Sequence, residues 1–538
     1  MRIGIDVGGT NTDAVLLDGT RVVAEVKTST TSDVTAGIVI AIADLKRKAK
    51  FNPADVRAVM IGTTHFINAI VETERLAPTA AVRLGLPATR ALPPLIGWPK
   101  HLVSAIRGKG YLCHGGYEYD GRPISPLDYS EIRRVADDIA EKGLRSVAIS
   151  AVYSPVNADL ELEVAELISQ QLPNVAISMS HEIGRMGLLE RENATILNAC
   201  LRELASQICD GLAEALSTAG IHAPLFLSQN DGTLMDVDYA RKYPVATFAS
   251  GPTNSMRGAA FLSGLSDCAV VDVGGTTSDV GILQNGFPRE STTEVSVSGV
   301  RTNFRMPDVL SIGIGGGSIV SSDGRTVGPN SVGFRIRQKS LVFGGDTLTA
   351  TDIAVAAGIA EVGDRSLVSH LDKGFVEAVL EHVTQEIAAV VDQMRISPDP
   401  MPVVAVGGGS ALVTDRLPGV GEVLRPEHSS VANAIGAAIA QVGGEVDRMF
   451  AVASGMRTSV LDSAKQEAVD RAIAAGALPE SVQIVEVEEV PLAYLPGNAT
   501  RIRVKAVGDL KFERKGPSTG QTSGQETLNG TRISVLST

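Results

Sequence analysis

Aromatic residues are scarce in this chain: they make up 4% of its 538 residues, with 12 Phe, 8 Tyr and one Trp. Proteins that hold single-stranded nucleic acid stack the bases on aromatic side chains. Positive charge is also in short supply, because 48 Lys and Arg face 61 Asp and Glu and leave a formal net charge of −13. An acidic chain repels a phosphate backbone overall. We therefore expect no nucleic-acid partner, although this charge is compatible with one nucleotide held locally by amide groups and a metal.

The chain has four cysteines, Cys113, Cys200, Cys209 and Cys268, and no two of them form a Cys-x-x-Cys pair. The sequence therefore lacks a zinc or redox signature, and we interpret all four as buried thiols. No apolar run reaches the ~18–20 residues that a membrane-spanning helix needs. A strand and a glycine turn begin at the first residues, where a signal peptide would lie. We expect no membrane association and a cytoplasmic location.

Two common nucleotide-binding motifs are missing. The sequence has no Gly-x-x-x-x-Gly-Lys-Ser/Thr stretch, which excludes a P-loop ATPase. No Gly-x-Gly-x-x-Gly stands between a first strand and its helix, which disfavours a dinucleotide-binding fold. Any nucleotide site in this chain must therefore be built in another way.

Glycine, in contrast, is abundant, with 55 residues, many of them clustered. Residues 272–279 read Asp-Val-Gly-Gly-Thr-Thr-Ser-Asp, and residues 6–13 read Asp-Val-Gly-Gly-Thr-Asn-Thr-Asp. Both copies follow an apolar strand and run into a second strand that ends in Asp-Gly or Asn-Gly, a tight turn typical of a β-hairpin. The duplication predicts two lobes that close on one nucleotide.

Each copy contains the parts of a phosphate-binding loop. Glycines allow main-chain N–H groups to approach phosphate oxygens without an intervening Cβ atom, and threonine hydroxyls add further donors. An aspartate at the end of the first strand suits Mg²⁺ held through water, so we predict that Asp6 and Asp272 hold the metal. We predict catalytic roles for both and for Asp13 and Asp279, although the sequence does not show which aspartate acts as a base. The predicted phosphate-loop residues are Gly8, Gly9, Thr10, Asn11, Thr12, Gly274, Gly275, Thr276 and Thr277.

Three further clusters are candidates for the same site. The third glycine loop, residues 313–318, contributes Gly315 and Gly316 to the predicted nucleotide contacts. The predicted adenosine loop follows the buried strand at residues 403–406 and consists of Gly407, Gly408 and Gly409. A strand-to-helix turn at residues 62–65 offers hydroxyl groups to an anion or a carbonyl, although an ordinary helix N-cap explains it equally well. We place Thr63, Thr64 and His65 on the substrate side.

The alternation of strands and helices predicts an α/β architecture. Residues 76–130, rich in Pro and Gly, are predicted to be irregular. The Ala and Gly residues of the stretch 429–440 predict a helix that packs closely against a neighbouring element. His181 and Glu182 are possible metal ligands, but no third ligand has suitable spacing. The predicted domains are an N-terminal lobe at 1–180, a second ATPase lobe at 181–445, a small α+β region at 446–510 and a flexible tail at 511–538.

Together the motifs resemble the hydantoinase/oxoprolinase family, A-type subunit, within the actin/sugar-kinase/Hsp70 ATPase superfamily. The resemblance implies duplicated actin-like, ribonuclease H-like ATPase lobes with a small C-terminal α+β appendage, and it implies ATP and Mg²⁺ as cofactors. It covers most of residues 1–445. The stretches that carry it are 3–13, 62–64 with 68–69, 190–191 with 198–199, 250–252, 272–280, 311–318 and 407–409.

The resemblance also implies an activity: ATP-dependent hydrolysis of cyclic amides such as hydantoins, lactams or 5-oxoproline, by phosphoryl transfer from Mg-ATP to the carbonyl oxygen. It implies a possible B-type companion subunit, and we also expect an oligomer. Ketone carboxylation, small-molecule kinase activity and a nucleotide switch acting on a partner enzyme stay open as alternatives. The chain departs from the family pattern after the third glycine loop, where residues 328–334 replace Pro-Gly-Pro-Ala-Cys with Gly-Pro-Asn-Ser-Val-Gly-Phe. This departure bears on substrate and partner more than on ATP binding.

Overall fold

A computed structural model of the chain describes residues 1–9, 11–29, 34–291, 295–452, 455–492 and 499–512. In these ranges helices pack on sheets with parallel and antiparallel strands, so the predicted α/β class is confirmed. None of the helices in the same ranges is long and apolar enough to cross a membrane.

The first lobe begins with an antiparallel hairpin whose apolar strands are buried. The second strand pairs antiparallel with the third, while the first strand also pairs in parallel with the fourth. The elements are β1 (Arg2–Val7), β2 (Asn11–Asp18), β3 (Arg21–Ser29), α1 (Val34–Ala49), β4 (Ala58–Thr63) and α2 (His65–Glu72).

A separate parallel sheet follows, with its own hydrophobic core. Its elements are β5 (Thr79–Leu86), α3 (Lys100–Ala105), β6 (Lys109–His114), α4 (Tyr129–Glu141), β7 (Ser146–Ala151), α5 (Asp159–Gln171) and β8 (Ala176–Met179). The prediction of irregular structure for residues 76–130 is therefore wrong. The strand β5 is fully buried, but its Ala, Gly and Arg residues lower the β-propensity on which the prediction depended.

The chain then returns to the first sheet. The long helix α6 leads into a strand that pairs in parallel with β4. The elements are α6 (Leu188–Thr218), β9 (Leu225–Ser228), β10 (Thr233–Asp236), α7 (Val237–Lys242) and α8 (Ser250–Ser263).

The second lobe repeats the topology of the first. Its sheet has the order β13-β12-β11-β19-β20, which matches β3-β2-β1-β4-β9 in direction and pairing and confirms the duplicated lobes. Its elements are β11 (Cys268–Val273), β12 (Ser278–Gln284), β13 (Phe287–Pro288), β14 (Val295–Val297), β15 (Val300–Thr302), β16 (Val309–Ile312), β17 (Ser318–Val320), β18 (Val327–Ser331), α9 (Ile336–Lys339), α10 (Ala350–Ala356), α11 (Lys373–Met394), β19 (Val403–Val406), β20 (Val423–Leu424) and α12 (Ala432–Ile439).

The C-terminal α+β unit extends the first sheet. It consists of β21 (Gln441–Ala451), α13 (Arg457–Ala474), β22 (Gln483–Pro491) and β23 (Ala499–Gly508). The strand β21 pairs with β10, so the first sheet has the order β22-β23-β21-β10-β9-β4-β1-β2-β3 in the described ranges. This sheet crosses the predicted boundaries at residues 180 and 445. Of the predicted tail, residues 513–538 lie outside the described residues.

Two of the contacts between the lobes involve close packing. Helices α8 and α12 cross so closely that a Cβ atom on Gly258 would lie 1.9 Å from the carbonyl oxygen of Ala432. The close packing predicted for the small-residue helix is therefore present. An arm of the second lobe formed by β14, β15 and Phe304 inserts Val297, Val300 and Phe304 into the core of the first lobe. The Phe304 ring meets that of Phe248 edge-on, with centroids 5.5 Å apart.

Candidate functional site

The repeated aspartates form one cross-strand pair in each lobe. Asp6 on β1 lies opposite Asp13 on β2, and Asp272 on β11 lies opposite Asp279 on β12. Each pair results from the register of the antiparallel hairpin. This register places the end of the first strand opposite the start of the second, with both side chains on the same face. Asp6 and Asp13 are 4% and 2% exposed, a degree of burial that carboxylates tolerate only with suitable partners.

Amide and ammonium donors bind the first pair. Asn433 on α12 donates from Nδ2 to Oδ2 of both Asp6 and Asp13, at 3.0 Å each. Asn254 on α8 donates to Oδ1 of Asp6 at 3.4 Å, and the Lys27 Nζ lies 2.6 Å from Asp13 Oδ2. The two helices between the lobes therefore hold the first pair in place.

Hydroxyl donors bind the second pair. Ser255 on α8 donates to Oδ2 of Asp272 at 2.5 Å, and Ser311 donates to Oδ1 of Asp279 at 2.5 Å. Ser255 follows Asn254 in the chain, so consecutive residues of α8 contact Asp272 in one lobe and Asp6 in the other. This shared helix connects the two aspartate pairs, and we call the region between the pairs, where the lobes meet, the cleft.

The pKa values show that the four carboxyl groups are poorly stabilised as anions. Burial, together with the neighbouring charges of Asp13 and Asp272, raises the pKa of Asp6 to about 6. Burial also raises the pKa of Asp279 to about 6, with a further contribution from Asp272. The pKa values of Asp13 and Asp272 are raised mainly by burial as well. A cation between the lobes would relieve this repulsion.

The donor set fits a magnesium ion held by few direct protein ligands. Within the residues described, no three His, Cys, Asp or Glu side chains converge as a complete protein metal site would need. Mg²⁺ commonly takes one or two carboxylates and completes its shell with water and phosphate oxygens. Asp6 and Asp272 supply such carboxylates, and the buried Oδ1 of Asn254 accepts no hydrogen bond from the described residues. His181, considered above as a ligand, instead lies 2.6 Å from Glu161 Oε2.

The two predicted phosphate loops share one backbone hydrogen bond. Gly8 donates its N–H to the carbonyl oxygen of Asn11 at 3.0 Å, and Gly274 donates to Thr277 at 2.9 Å. Among the described residues, no atom lies within 4 Å of a Cβ built on Gly9, which leaves room for close approach of a ligand. Thr276 and Thr277 are exposed, Asn11 is half-buried and Thr12 is buried. Thr10 lies outside the described residues.

The third glycine loop packs beneath the second phosphate loop. Gly316 donates its N–H to the carbonyl oxygen of Gly274 at 3.0 Å, and Gly317 donates to that of Gly275 at 2.7 Å. The N–H of Gly315 is also used, because it donates to the Ser318 hydroxyl at 2.8 Å. Nucleotide contact by Gly315 and Gly316 stays a prediction, and the occupied N–H groups favour a supporting position.

The predicted adenosine loop begins beside the end of β11, the first strand of the second hairpin. Because Asp272 pairs with Val406, the next residue, Gly407, lies beside the aspartate, and a Cβ at its φ of +87° would be 2.2 Å from Asp272 Oδ1. Gly409 donates to the carbonyl oxygen of Val273 at 2.8 Å, whereas a Cβ on Gly408 would meet no atom of the described part of the chain within 4 Å. The loop therefore lines the cleft with bare backbone.

The Thr63 turn is the counterpart of this loop in the first lobe. Asp6 pairs with Gly62 on β4 and Val7 pairs with Thr63. The hydroxyl of Thr63 lies 2.5 Å from Nδ1 of His65, and Thr64 is the residue between them. Burial lowers the pKa of His65 to about 4, so this imidazole is neutral at pH 7. The structure thus brings the predicted substrate-side residues to the first phosphate loop.

Comparison with known protein families agrees with this arrangement. The hydantoinase/oxoprolinase N-terminal region matches residues 2–172, and the hydantoinase/oxoprolinase domain matches residues 191–364. The chain belongs to the hydantoinase/oxoprolinase family. The resemblance seen in the sequence is therefore confirmed.

Two relatives of the chain have different activities. The chain is 27% identical over 415 residues to the caprolactamase subunit alpha of Pseudomonas jessenii, covering 72% of this chain and 58% of that protein. It is 27% identical over 403 residues to the acetophenone carboxylase gamma subunit of Aromatoleum aromaticum, covering 66% and 53%. The chain thus spans between half and two thirds of the length of these relatives. The crystal structure of ATP-dependent caprolactamase from Pseudomonas jessenii has the same fold, with a TM-score of 0.77 at 20% identity over 95% of this chain and 88% of that one.

Sequence analysis did not predict five residues that contact the aspartates from β3, α8, β16 and α12. They are Lys27, Asn254, Ser255, Ser311 and Asn433. One signal was available, since Asn433 interrupts an otherwise small and apolar helix. A polar amide at such a position indicates a specific buried partner.

Proposed function

We propose that this chain is the ATP-binding subunit of an enzyme that hydrolyses cyclic amides and activates their carbonyl group with Mg-ATP. One observation carries the proposal: two aspartate hairpins from duplicated lobes meet across a single cleft and are held by consecutive residues of α8. Such a cleft matches what phosphoryl transfer needs, because its catalysis consists largely of positioning and charge stabilisation. The similarity to a caprolactamase subunit supports the choice of substrate class.

Each group in the cleft has a specific role in this proposal. Asp6 and Asp272 would hold Mg²⁺, which when bound neutralises the developing charge on the transferred phosphoryl group. The backbones around Gly9 and Gly408 admit the phosphates and the adenosine, because no described atom occupies the space beside them. Asn433 holds Asp6 and Asp13 in one orientation. His65, which is neutral at pH 7, would orient the Thr63 hydroxyl, which lies 2.5 Å from its Nδ1.

A substrate panel tests the proposal. Purified protein, with and without the product of the neighbouring gene, is incubated with Mg-ATP and hydantoins, lactams of several ring sizes and 5-oxoproline, and phosphate release is measured. We expect one substrate class to stimulate ATP hydrolysis and to yield the ring-opened acid. The variant Asp272→Asn should lose this stimulation, whereas Asp238→Asn, on the exposed face of α7, should retain it. Failure of every cyclic amide to stimulate hydrolysis would reject the proposal.

Ketone carboxylation is the second candidate, because the acetophenone carboxylase gamma subunit matches as strongly in identity. Including aryl and alkyl ketones with bicarbonate in the panel separates the two activities. A small-molecule kinase predicts a stable phosphorylated product instead of released phosphate, which mass analysis detects. A nucleotide switch predicts tight binding with negligible turnover.

A companion subunit is part of the proposal. Both curated relatives are named as subunits, and this chain covers only part of their length. Co-purification with the neighbouring gene product would support it.

A further inference from the structure

A cavity of about 520 Å³ lies beside β9, outside the aspartate cleft. Its size falls within the range of small-molecule sites in proteins. The carboxyl ends of two sets of parallel strands meet there, because His181 comes just after β8, Gln229 follows β9, and both residues line the cavity. Ligands of open α/β sheets bind outside this end of the strands. The cavity therefore lies where this kind of fold places a ligand.

The cavity lies at the same sheet edge as the first phosphate loop. The strands β1, β4 and β9 are parallel, and their register places Val7 beside Thr63 and, when it is continued past β9, Thr63 beside Gln229. Neighbouring strands are ~4.8 Å apart, so the ends of β1 and β9 are separated by roughly 10 Å. A small substrate in the cavity can therefore direct one group toward a nucleotide in the cleft and another toward the cavity wall.

The carboxylates that line the cavity are already paired with cations. Glu182 lies 2.9 Å from Nζ of Lys242, and Asp231 lies 2.9 Å from Nζ of Lys505. The other two carboxylates, on β21, pair with arginines of β23 at 2.8 Å and 2.6 Å. A cation at such a distance stabilises the ionised carboxyl group and makes it a poor proton acceptor. The arginines of the lining are permanently charged and accept no proton.

His181 differs from these groups because a buried carboxylate holds its ring. Its Nδ1 lies 2.6 Å from Oε2 of Glu161, and its main-chain N–H donates to the same oxygen at 3.0 Å. Glu161 is fully buried in the first turn of α5 and also accepts from the Ser180 hydroxyl at 2.5 Å and the N–H of Ala151 at 2.8 Å. Although burial opposes ionisation, the hydrogen bonds from His181 and Ser180 keep the pKa of Glu161 below its ordinary value.

This carboxylate determines which nitrogen of the His181 ring is free. An ionised Glu161 can only accept, so Nδ1 carries the proton and Nε2 of the neutral ring carries a lone pair. Within the described ranges Nε2 makes no hydrogen bond, and it is not one of the buried polar atoms that lack a partner. The side chain keeps 18% of its surface accessible and lines the cavity. A ring nitrogen that can take up a proton is therefore accessible from the cavity, with a carboxylate behind it that stabilises the imidazolium.

We propose that His181 is the catalytic base of the enzyme and that its Nε2 removes a proton from the carbonyl substrate during phosphoryl transfer. The proposal rests on the function proposed above, and it applies to an amide and to a ketone alike. In both, the atom next to the carbonyl carbon loses a proton when the carbonyl oxygen becomes phosphorylated.

The bonds and protons of this step balance without a further reactant. The carbonyl oxygen forms a bond to the γ-phosphorus, and the bond between this phosphorus and ADP breaks, with its electron pair leaving on ADP. The N–H proton of an amide, or the α C–H proton of a ketone, moves to Nε2 of His181. The electron pair of that N–H or C–H bond forms the new C=N or C=C bond. The products are an imidate or enol phosphate, ADP and a protonated imidazole.

A matched pair of histidine variants tests the assignment. His181→Gln keeps a donor for Glu161 but takes up no proton. His114→Gln is the control, because His114 ends β6 of the same sheet, lies 3.2 Å from Glu131 and does not line the cavity. With the carbonyl compound that stimulates ATP hydrolysis, we expect kcat to fall about 100-fold or more in His181→Gln while KM changes less than about threefold. In His114→Gln, both should stay within about twofold of the unsubstituted protein.

Melting temperature and binding of a non-hydrolysable ATP analogue separate a loss of chemistry from a loss of structure. We expect both to be unchanged in His181→Gln. An unchanged kcat would overturn the proposal, and so would a fall in kcat that is accompanied by an equal loss of analogue binding. If a carbonyl compound stimulates hydrolysis and His181→Gln keeps its kcat, the base lies elsewhere and the proposed function stands. If no such compound stimulates hydrolysis, the proposed function itself fails.

Chemical modification of the unsubstituted protein tests the same nitrogen without any variant. Diethyl pyrocarbonate acylates accessible, unprotonated imidazole nitrogens, and peptide mass analysis shows which of the 8 histidines react. We expect His181 to react, and we expect the stimulating compound, at about ten times its Kd, to slow that reaction about tenfold. The reaction of His114 should not change. An unreactive His181, or equal rates with and without the compound, would overturn the proposal.

Discussion

At the residue scale, the buried carboxylates of the cleft repel one another, and bound ligands would relieve this repulsion. Asp6 and Asp279 have pKa values raised to about 6, mainly by burial, so each binds a proton more readily in the folded than in the unfolded chain. Between pH 4 and pH 6 these two groups therefore hold more protons in the folded state, and the stability that they contribute falls as the pH rises through this window. Sites arranged for binding commonly reduce stability in this way.

The first prediction concerns this pH dependence. Without metal or nucleotide, the contribution of Asp6 should lower the free energy of unfolding by about 1–3 kcal/mol as the pH rises from 4 to above 6. The variant Asp6→Asn should remove this contribution, while the exposed Asp238→Asn should keep it. Adding Mg²⁺ should raise the melting temperature above pH 6 and have little effect below pH 5, because the carboxylates must be ionised. Denaturant titrations across this pH range measure the effect, and identical profiles for Asp6→Asn and the unsubstituted protein would contradict it.

The second prediction concerns Lys27, whose ammonium group lies 2.6 Å from Asp13 and lowers the pKa of that carboxyl group against the effect of burial. Replacing Lys27 by Met leaves Asp13 buried without its cation, at a cost of about 1–3 kcal/mol at pH 8. At pH 5 the cost should be smaller, because Asp13 can then take up a proton. Lys373→Met, on the exposed start of α11, is the control. An equal loss at both pH values would show that Lys27 acts through packing instead of charge.

At the scale of elements, the crossing of α8 and α12 places the functional groups. A Cβ on Gly436 would lie 1.8 Å from the carbonyl oxygen of Asn254, whose side chain contacts Asp6. The third prediction is that Gly436→Ala forces the helices apart and destabilises the protein by about 2 kcal/mol or more. Gly251→Ala, in the partner helix α8, should cost less than about 1 kcal/mol, because the added Cβ would lie 3.7 Å from its nearest neighbour. Thermal unfolding compares the two, and similar losses would contradict the steric account.

The sequence predicted the elements whose local signals are strong. Repeated hairpins, the buried strand β19 and the helices α11 and α12 follow from apolar periodicity and turn residues. The strand β5 was missed because its burial comes from neighbouring strands that periodicity does not show. The contacts of Asn254 and Asn433 with Asp6 join residues 248 and 427 positions apart, so they depend on the tertiary structure.

At the scale of the whole molecule, the first sheet gathers strands from three separate parts of the chain. The predicted boundary at residue 445 falls inside β21, because a boundary inferred from composition does not reveal strand pairing with β10. The division into domains thus stays a proposal. Because the C-terminal unit extends this sheet, it meets the arm of the second lobe at the cavity beside β9. Movement of the lobes would therefore affect both the cleft and the cavity.

The central claim is that both lobes together hold one Mg-nucleotide, and its stoichiometry tests this most directly. Isothermal titration of the full chain with a non-hydrolysable ATP analogue, in the presence of Mg²⁺, should give one site per chain. Asp6→Asn and Asp272→Asn should each abolish that site, because each lobe supplies one carboxylate. Two sites per chain, or unchanged affinity in either variant, would contradict the account.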